Sequence, residues 1–205
     1  MTDLPQRLKD GTHTWHQTLE QAPLAGDLIQ GSVSHWQYAA FLQALYSYLA
    51  AYEKQVLPEL SHYQWGPYHY ESRLPYLAAD LGSLAQYTPT SVLPEPEVPQ
   101  PRNLPQLLGQ LYVIEGASQG GRIISPRLTR TLNLTPGTGL RYFHHFSEVR
   151  NQWPAFMGEL KASSQHFSTS EVHESVARAR AIFTGLTQYF TRCHSAWHDE
   201  EPTSE

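Results

Sequence analysis

The fold of this chain depends most on residues 111–124, which read LYVIEGASQGGRII. This stretch begins and ends as an apolar helical run, but Gly116, Gly120 and Gly121 lie at its centre. A glycine inside a helix lowers helix stability by about 1 kcal/mol relative to alanine. Three glycines therefore indicate that their lack of side chains serves a structural purpose that offsets this loss. That purpose is either a kink or a close approach of bare backbone to a neighbouring helix or a flat ligand. From these residues alone, contact with a neighbouring helix is the favoured interpretation.

Two other classes of glycine motif do not fit this stretch. A phosphate-binding loop requires GxGxxG or GxxxxGK[ST] after a strand, and residues 111–124 contain neither pattern. The GxxxG spacing of Gly116 and Gly120 also occurs at helix contacts in membranes, but those helices need about 20 consecutive apolar residues. Glu115 and Arg122 interrupt the apolar run. We therefore expect a helix outside the membrane that exposes part of its backbone.

The composition is typical of one folded domain. Of the 205 residues, 12% are aromatic and only 16% are charged, which allows a sizeable apolar core. A net charge of −5 with 14 Lys and Arg residues argues against a nucleic-acid surface. The single cysteine, Cys193, excludes a disulfide within this sequence, and the N-terminus lacks the apolar core of a signal peptide. We expect a cytoplasmic protein without a membrane span.

Apolar residues recur at helical spacing along most of the chain. The pattern predicts a long helix that starts at His35 and is bent or ended by Pro58. Residues 87–103 are rich in proline, which predicts a surface crossover without a helix. Further helices are predicted at about residues 4–22, 71–86, 104–132, 147–163 and 170–197. The fold class is therefore all-α, a single-domain irregular bundle of about six or seven helices.

The sequence lacks the common catalytic and metal-binding patterns. GxSxG and HExxH are absent, and no duplicated Glu-x-x-His element is present for a carboxylate-bridged metal pair. Two features remain, His16 beside the apolar stripe of the first helix and the glycine-rich helix. A flat metallo-tetrapyrrole would use both, with one imidazole on its metal and bare backbone on its other face. Lys9, Arg178 and Arg180 are available for its carboxylates.

These residues resemble the heme oxygenase family. Residues 8–20, LKDGTHTWHQTLE, are similar to the N-terminal helix of that family, whose pattern is LKxxTxxxHxxxE. Residues 112–122, YVIEGASQGGR, are similar to the glycine-rich distal helix of its bacterial, biliverdin-producing branch. The order of the helices, Tyr142-Phe143 and the WPAF of residues 153–156 extend the resemblance over nearly the whole chain. The resemblance implies a heme oxygenase-like fold.

The resemblance also implies an activity, the cleavage of heme with O2 and reducing equivalents to biliverdin, carbon monoxide and ferrous iron. Heme b is then both substrate and cofactor, and His16 is the ligand of its iron. An electron donor such as a ferredoxin or a flavin reductase is implied, and a bilin-accepting photoreceptor is a candidate partner. The implied site residues are Gly116, Ala117, Gly120 and Gly121 on the catalytic, distal side, and Lys9, His13, Glu20 and Arg180 in cofactor binding.

One position departs from the family pattern. Many members carry an aspartate directly after the first distal glycine, whereas this chain has Ala117. Ser118, Gln119, backbone and water are then the candidates for proton delivery. A non-catalytic heme-binding protein on the same scaffold is the alternative hypothesis, and a helical oxidase or hydrolase acting on another small molecule is the third.

Overall fold

Helices account for most of the described chain. The computed structural model describes residues 3–91, 95–148 and 152–202. Its helices are α1 (Leu4–Glu20), α2 (Ala25–Gln30), α3 (His35–Leu60), α4 (Leu74–Ser83), α5 (Leu104–Leu132), α6 (Arg141–Glu148), α7 (Gln152–Ser163) and α8 (Thr169–Trp197). Two 3₁₀ turns, Ala85–Tyr87 and His198–Glu200, follow α4 and α8, and the described ranges contain no strand. The all-α prediction is confirmed, with eight helices where about six or seven were expected.

Reciprocal side-chain caps start the long helices α3 and α8. The Ser34 hydroxyl accepts the N–H of Gln37 at 3.1 Å, and the Gln37 side chain accepts the N–H of Ser34 at 2.9 Å. Ser168 and Glu171 make the same pair of bonds at 3.3 Å and 2.7 Å. These bonds satisfy N–H groups that have no partner inside a helix. Because each cap lies within a few residues of its helix, both starts were predictable from the sequence.

Several predicted boundaries differ from the structure. The short helices α2 and α6 were not predicted as separate elements. The predicted helix over 147–163 corresponds to the end of α6 and to α7, and residues 149–151 lie outside the described part of the chain. Pro58 does not end α3, which continues to Leu60. Proline has no N–H to bond the carbonyl oxygen four residues earlier, and α3 ends two residues after it.

The start predicted for α4 at about residue 71 is too early. The N–H of Arg73 donates to the Glu53 carboxylate at 3.1 Å, and the Arg73 guanidinium donates to the carbonyl oxygen of Glu71 at 2.7 Å. These bonds hold the backbone of residues 71–73 outside a helix, so α4 begins at Leu74. The partner, Glu53, comes from a distant part of α3, which local periodicity does not reveal.

The glycines of α5 have two different surroundings. A Cβ on Gly109 would lie 2.1 Å from the carbonyl oxygen of Ser175 in α8, and one on Gly121 would lie 3.0 Å from that of Phe143 in α6. On Gly116 or Gly120 it would meet only ordinary contacts at 3.7 Å. Close helix packing, the favoured interpretation of the three central glycines, therefore applies only to Gly121 among them, and it also applies to Gly109, which lies outside residues 111–124. Gly116 and Gly120 leave bare helix surface instead.

The centre of the core is built on α3. Tyr38, Tyr48 and Tyr52 on this helix are fully buried, and its Glu53 is buried among polar groups. Apolar side chains of α5 and α8 complete the core around them. In the ranges that the structure describes, no helix combines the length and the hydropathy needed to cross a membrane.

Replacing Gly109 with alanine should lower the free energy of unfolding by about 1–3 kcal/mol, the usual range for overpacking. The added Cβ would meet rigid backbone of α8, which cannot move aside as a side chain would. Urea unfolding followed by circular dichroism measures the loss. Gly158→Ala in α7 is the control, because a Cβ there meets nothing within 4 Å and should leave stability unchanged or slightly higher. Equal effects of the two changes would contradict the contact.

Candidate functional site

A cavity of about 300 Å³ lies between α1, α5 and α8. Its polar residues are His16, Tyr112, Gln119 and Tyr142. The apolar lining consists of Leu19, Leu45, Leu49, Val113, Ile114, Trp153, Phe183 and Leu186. Wider grooves of about 990 and 1140 Å³ lie elsewhere on the surface, but polar and charged residues make up a larger share of their lining, and neither contains His16 or Gly116. The smaller, mostly apolar cavity is therefore the candidate site.

His16 forms one wall of this cavity. Its side chain is 56% exposed, and its Nδ1 lies 3.5 Å from Oε2 of Glu20, one turn along α1. The edge of its ring faces Phe183 of α8, with ring centroids 5.6 Å apart. When a carboxylate holds Nδ1–H, the other ring nitrogen, Nε2, carries the free lone pair. His16 therefore places an imidazole, a common metal ligand, in the cavity wall, with a carboxylate close to its Nδ1.

The glycine-bearing segment of α5 forms another wall. Gly116 and Ala117 line the cavity and present almost no side-chain volume. A Cβ on Gly116 would make only ordinary contact with the Trp153 ring, at 3.7 Å. Gln119 adds an amide, which donates to the Ser118 hydroxyl at 3.2 Å, while Ser118 donates to the carbonyl oxygen of Glu115 at 2.6 Å. Bare backbone and the Gln119 side chain therefore line the same cavity as His16, and Ser118 lies buried next to Gln119.

A tyrosine of α6 also lines the cavity. Both oxygens of the buried Asp80 carboxylate accept backbone N–H groups at the start of α6, those of Arg141 and Tyr142, each at 2.8 Å. This cap orients the helix so that Tyr142 reaches the cavity. Burial raises the pKa of Tyr142 above the usual tyrosine value, so its hydroxyl is protonated at neutral pH.

A buried ion pair lies directly behind the glycine-bearing wall. The Arg73 guanidinium donates to Glu115 Oε2 at 2.8 Å, with 2% and 0% of the two side chains exposed. The Tyr68 hydroxyl donates to the other oxygen of Glu115 at 2.7 Å. The Arg73 guanidinium carbon also lies 4.8 Å from the centre of the Tyr70 ring and 4.9 Å from that of Phe146. Glu115 directly precedes Gly116, so this network holds α5 in place at the cavity.

The predicted site residues are only partly brought together. His16, Gly116 and Ala117 line the same cavity, whereas Gly120 and Gly121 do not. Four predicted residues recur at helical spacing on one face of α1, and all of them are exposed: Lys9, His13, His16 and Glu20. The roles predicted for these residues in heme binding and catalysis stay predictions.

Arg180 lies outside the cavity lining. Its Nε donates to the carbonyl oxygen of Gly11 at 2.7 Å, and its guanidinium carbon lies 4.3 Å from the centre of the Trp15 ring. It lines the wide groove between the starts of α1 and α8. Arg180 therefore joins α1 to α8, a contact that the sequence prediction did not include.

Sequence reasoning assigned no role to three aromatic residues of the cavity: Tyr112, Tyr142 and Trp153. Tyr112 lies one turn before Gly116, so helical spacing would have placed it on the cavity side of α5. Tyr142 and Trp153 belong to α6 and α7, and no local pattern reveals that these helices close the cavity.

Comparison with known proteins identifies the family of the chain. The sequence family of heme oxygenases matches residues 2–192. The chain belongs to the heme oxygenase family. A curated heme oxygenase of Xanthomonas campestris pv. campestris (strain 8004) is 30% identical to it over 167 residues, which are 82% of this chain and 94% of that protein. Membership supports a heme oxygenase enzyme at the level of the family.

Solved structures show the same fold. The heme oxygenase of Leptospira interrogans superposes with a TM-score of 0.67 at 19% identity, over 93% of this chain and 100% of that chain. Heme oxygenase-1 of the cyanobacterium Synechocystis sp. PCC6803, solved in complex with heme, has a TM-score of 0.68 at 17% identity, over 97% and 96%. The heme oxygenase-like fold prediction is therefore confirmed.

Replacing Glu115 with glutamine should lower the free energy of unfolding by about 3–5 kcal/mol, because the change leaves the buried Arg73 charge without its partner. Glu95→Gln is the control, since its ion pair with Lys54 spans 3.6 Å between side chains that are 67% and 71% exposed. That change should cost less than about 1 kcal/mol. Chemical unfolding measures both variants, and a Glu115→Gln protein as stable as the control would contradict the importance of the network.

Proposed function

We propose that this chain cleaves heme b with O2 and reducing equivalents to biliverdin, carbon monoxide and ferrous iron, with His16 as the iron ligand. The observation that carries the proposal is the cavity itself, in which an oriented imidazole and a bare segment of α5 form walls of one apolar space. Family membership supports the general activity. The ligand to the iron is inferred from the site, whereas the product and the electron donor are what the resemblance to the family implies.

The residues of the cavity fit a heme. In the described ranges, no group of three or more His, Cys, Asp or Glu side chains could hold a metal ion. A metal that binds through His16 alone must bring its other ligands with it, as the iron of a porphyrin does. The aliphatic and aromatic lining suits the flat apolar ring, and Gly116 and Ala117 leave room beside it.

Each wall would have a distinct role with heme in place. Heme supplies the iron that takes up O2 and the ring that is cleaved. Glu20 orients His16 through Nδ1, and the apolar lining excludes bulk water from the reacting atoms. Gln119 and Ser118 are the hydrogen-bonding pair of the glycine-bearing wall, and they are candidates to move protons where Ala117 provides no carboxylate.

The heme carboxylates would be held at the open edge of the cavity. Lys9 and His13 extend the exposed face of α1 that carries His16, and positive or hydrogen-bonding side chains there would meet carboxylates that project into solvent. Arg180 is a further candidate, and to reach a carboxylate it would have to leave its contacts with Gly11 and Trp15.

The reaction consumes electrons from outside the chain. We infer a donor protein such as a ferredoxin or a flavin reductase. A bilin-accepting photoreceptor as recipient of the product, and a cytoplasmic location, are further parts of the proposal. A non-catalytic heme-binding protein is the second candidate function, favoured by Ala117 at the position where many family members carry aspartate.

His16→Ala should abolish axial coordination of heme iron, since α1 offers no other imidazole that lines the cavity. Titration with hemin, followed by the Soret band and by electron paramagnetic resonance, measures the loss. His62→Ala is the control, because His62 is exposed just after the end of α3 and lies outside the cavity lining, and this variant should keep the wild-type coordination signals. Unchanged coordination in His16→Ala would refute the assignment of the iron ligand.

The purified chain, mixed with hemin and then with ascorbate or reduced ferredoxin in air, should lose its Soret band while a broad red bilin band grows. Chromatography of the product against authentic biliverdin identifies it. A parallel sample without reductant should keep its Soret band. If the Soret band persists in both samples, the chain binds heme without cleaving it, and the second candidate function replaces the first.

A further inference from the structure

Tyr142 reaches the cavity from the side of the glycine-bearing wall. It belongs to α6, which packs mainly against α5 and α4. His16 belongs to α1, which packs mainly against α8, α7 and α2. Tyr142 therefore shares the cavity with His16 but enters it with Gly116 and Ala117, on the wall opposite the imidazole.

The hydroxyl of Tyr142 differs from those of the neighbouring tyrosines. The Tyr68, Tyr70 and Tyr76 hydroxyls each donate to a carboxylate, at 2.7, 3.1 and 2.6 Å. Among the described residues, the Tyr142 hydroxyl has no such partner, and it is not one of the unpartnered atoms sealed inside the protein, which are Tyr52 Oη and Gln110 Oε1. A tyrosine hydroxyl that is buried with its ring normally finds a partner. This one is free to bond a molecule in the cavity.

The position of the ring is fixed. The Asp80 carboxylate accepts the N–H of Tyr142 itself at 2.8 Å, which holds the residue at the first turn of α6. The ring packs against Phe143 and Phe146, with centroids 5.0 and 5.5 Å away. A donor that is held in place before its acceptor arrives stabilises that acceptor without reorganisation.

Burial keeps the Tyr142 hydroxyl protonated and therefore able to donate a hydrogen bond. Burial raises its pKa, Arg73 acts in the opposite direction, and Glu115 adds to the increase. The neutral phenol carries one O–H to donate. The ionised groups next to it, Arg73 and Glu115, are paired with each other at 2.8 Å and are not available to a ligand.

We propose that the Tyr142 hydroxyl donates a hydrogen bond to the O2 molecule that shares the cavity with heme, on the side opposite His16. This inference rests on the proposed function. It assigns the polar contact that Ala117 does not supply to a residue of a different helix, while Gln119 and Tyr112 are the polar side chains that α5 itself adds to the cavity. Tyr142 is then a catalytic residue, because it touches a reacting molecule.

The carbon monoxide complex of the ferrous heme-loaded chain tests this contact without turnover. A hydrogen bond from a phenol lowers the C–O stretching frequency, so Tyr142→Phe should shift the infrared band to higher frequency. Loss of one hydrogen bond of about 1.4 kcal/mol also predicts about tenfold faster release of O2 from the ferrous complex. An unchanged band in Tyr142→Phe would overturn the inference.

Tyr112→Phe is the matched control. It removes the other phenol of the cavity, whose hydroxyl lies near Thr12 and Asp10 of α1 rather than near α6. The C–O band of this variant should match the wild type, and an equal shift in both variants would refute a specific role for Tyr142. The wild-type band should also shift in D2O, since the donor proton exchanges. Absence of that isotope shift would contradict the contact without reliance on any variant.

The same experiment separates failure of this inference from failure of the proposed function. If the wild-type chain forms no carbon monoxide complex that depends on His16, the proposed function fails and the inference fails with it. If that complex forms and Tyr142→Phe leaves its band unchanged, only the role of Tyr142 is refuted.

Discussion

The buried ion pair of Arg73 and Glu115 is the constraint on which the cavity depends. A charge pair withdrawn from water is costly unless its remaining hydrogen-bonding capacity is satisfied. Tyr68 and the carbonyl oxygen of Glu71 satisfy much of it here. This network of hydrogen bonds fixes one arrangement of residues 71–73 before α4. It also fixes the position of α5 at Glu115, the residue before Gly116.

The glycines of α5 have two kinds of surroundings, close contacts with other helices and the surface of the cavity. Gly109 and Gly121 allow the backbones of α8 and α6 to approach, which brings these helices close enough to bury their apolar faces. No backbone of another helix approaches Gly116 in this way, and the backbone of Gly116 forms part of the cavity surface. A glycine costs helix stability wherever it stands, and the packing of its neighbours offsets that cost around Gly116.

The site combines one exposed imidazole with walls that are almost free of charge. Charged groups near the cavity are either exposed on the face of α1 that carries His16, as Lys9 and Glu20 are, or paired behind the wall, as Glu115 is. Such a space favours a largely apolar ligand, and the hydrogen-bond donors that line it then decide its chemistry. In this chain three side chains that line the cavity, Tyr112, Gln119 and Tyr142, carry neutral hydrogen-bond donors.

The sequence by itself determined the all-α class, the long helices with their caps, the shared face of His16 and Glu20, and the resemblance to heme oxygenases. Helical periodicity and capping act between residues a few positions apart, so the local sequence contains them. Only the tertiary structure decided that Arg73 pairs with Glu115, that Asp80 caps α6 and so directs Tyr142 into the cavity, and that Arg180 binds α1. These contacts join residues far apart in the chain, and their partners follow from how the helices pack, which no local pattern encodes.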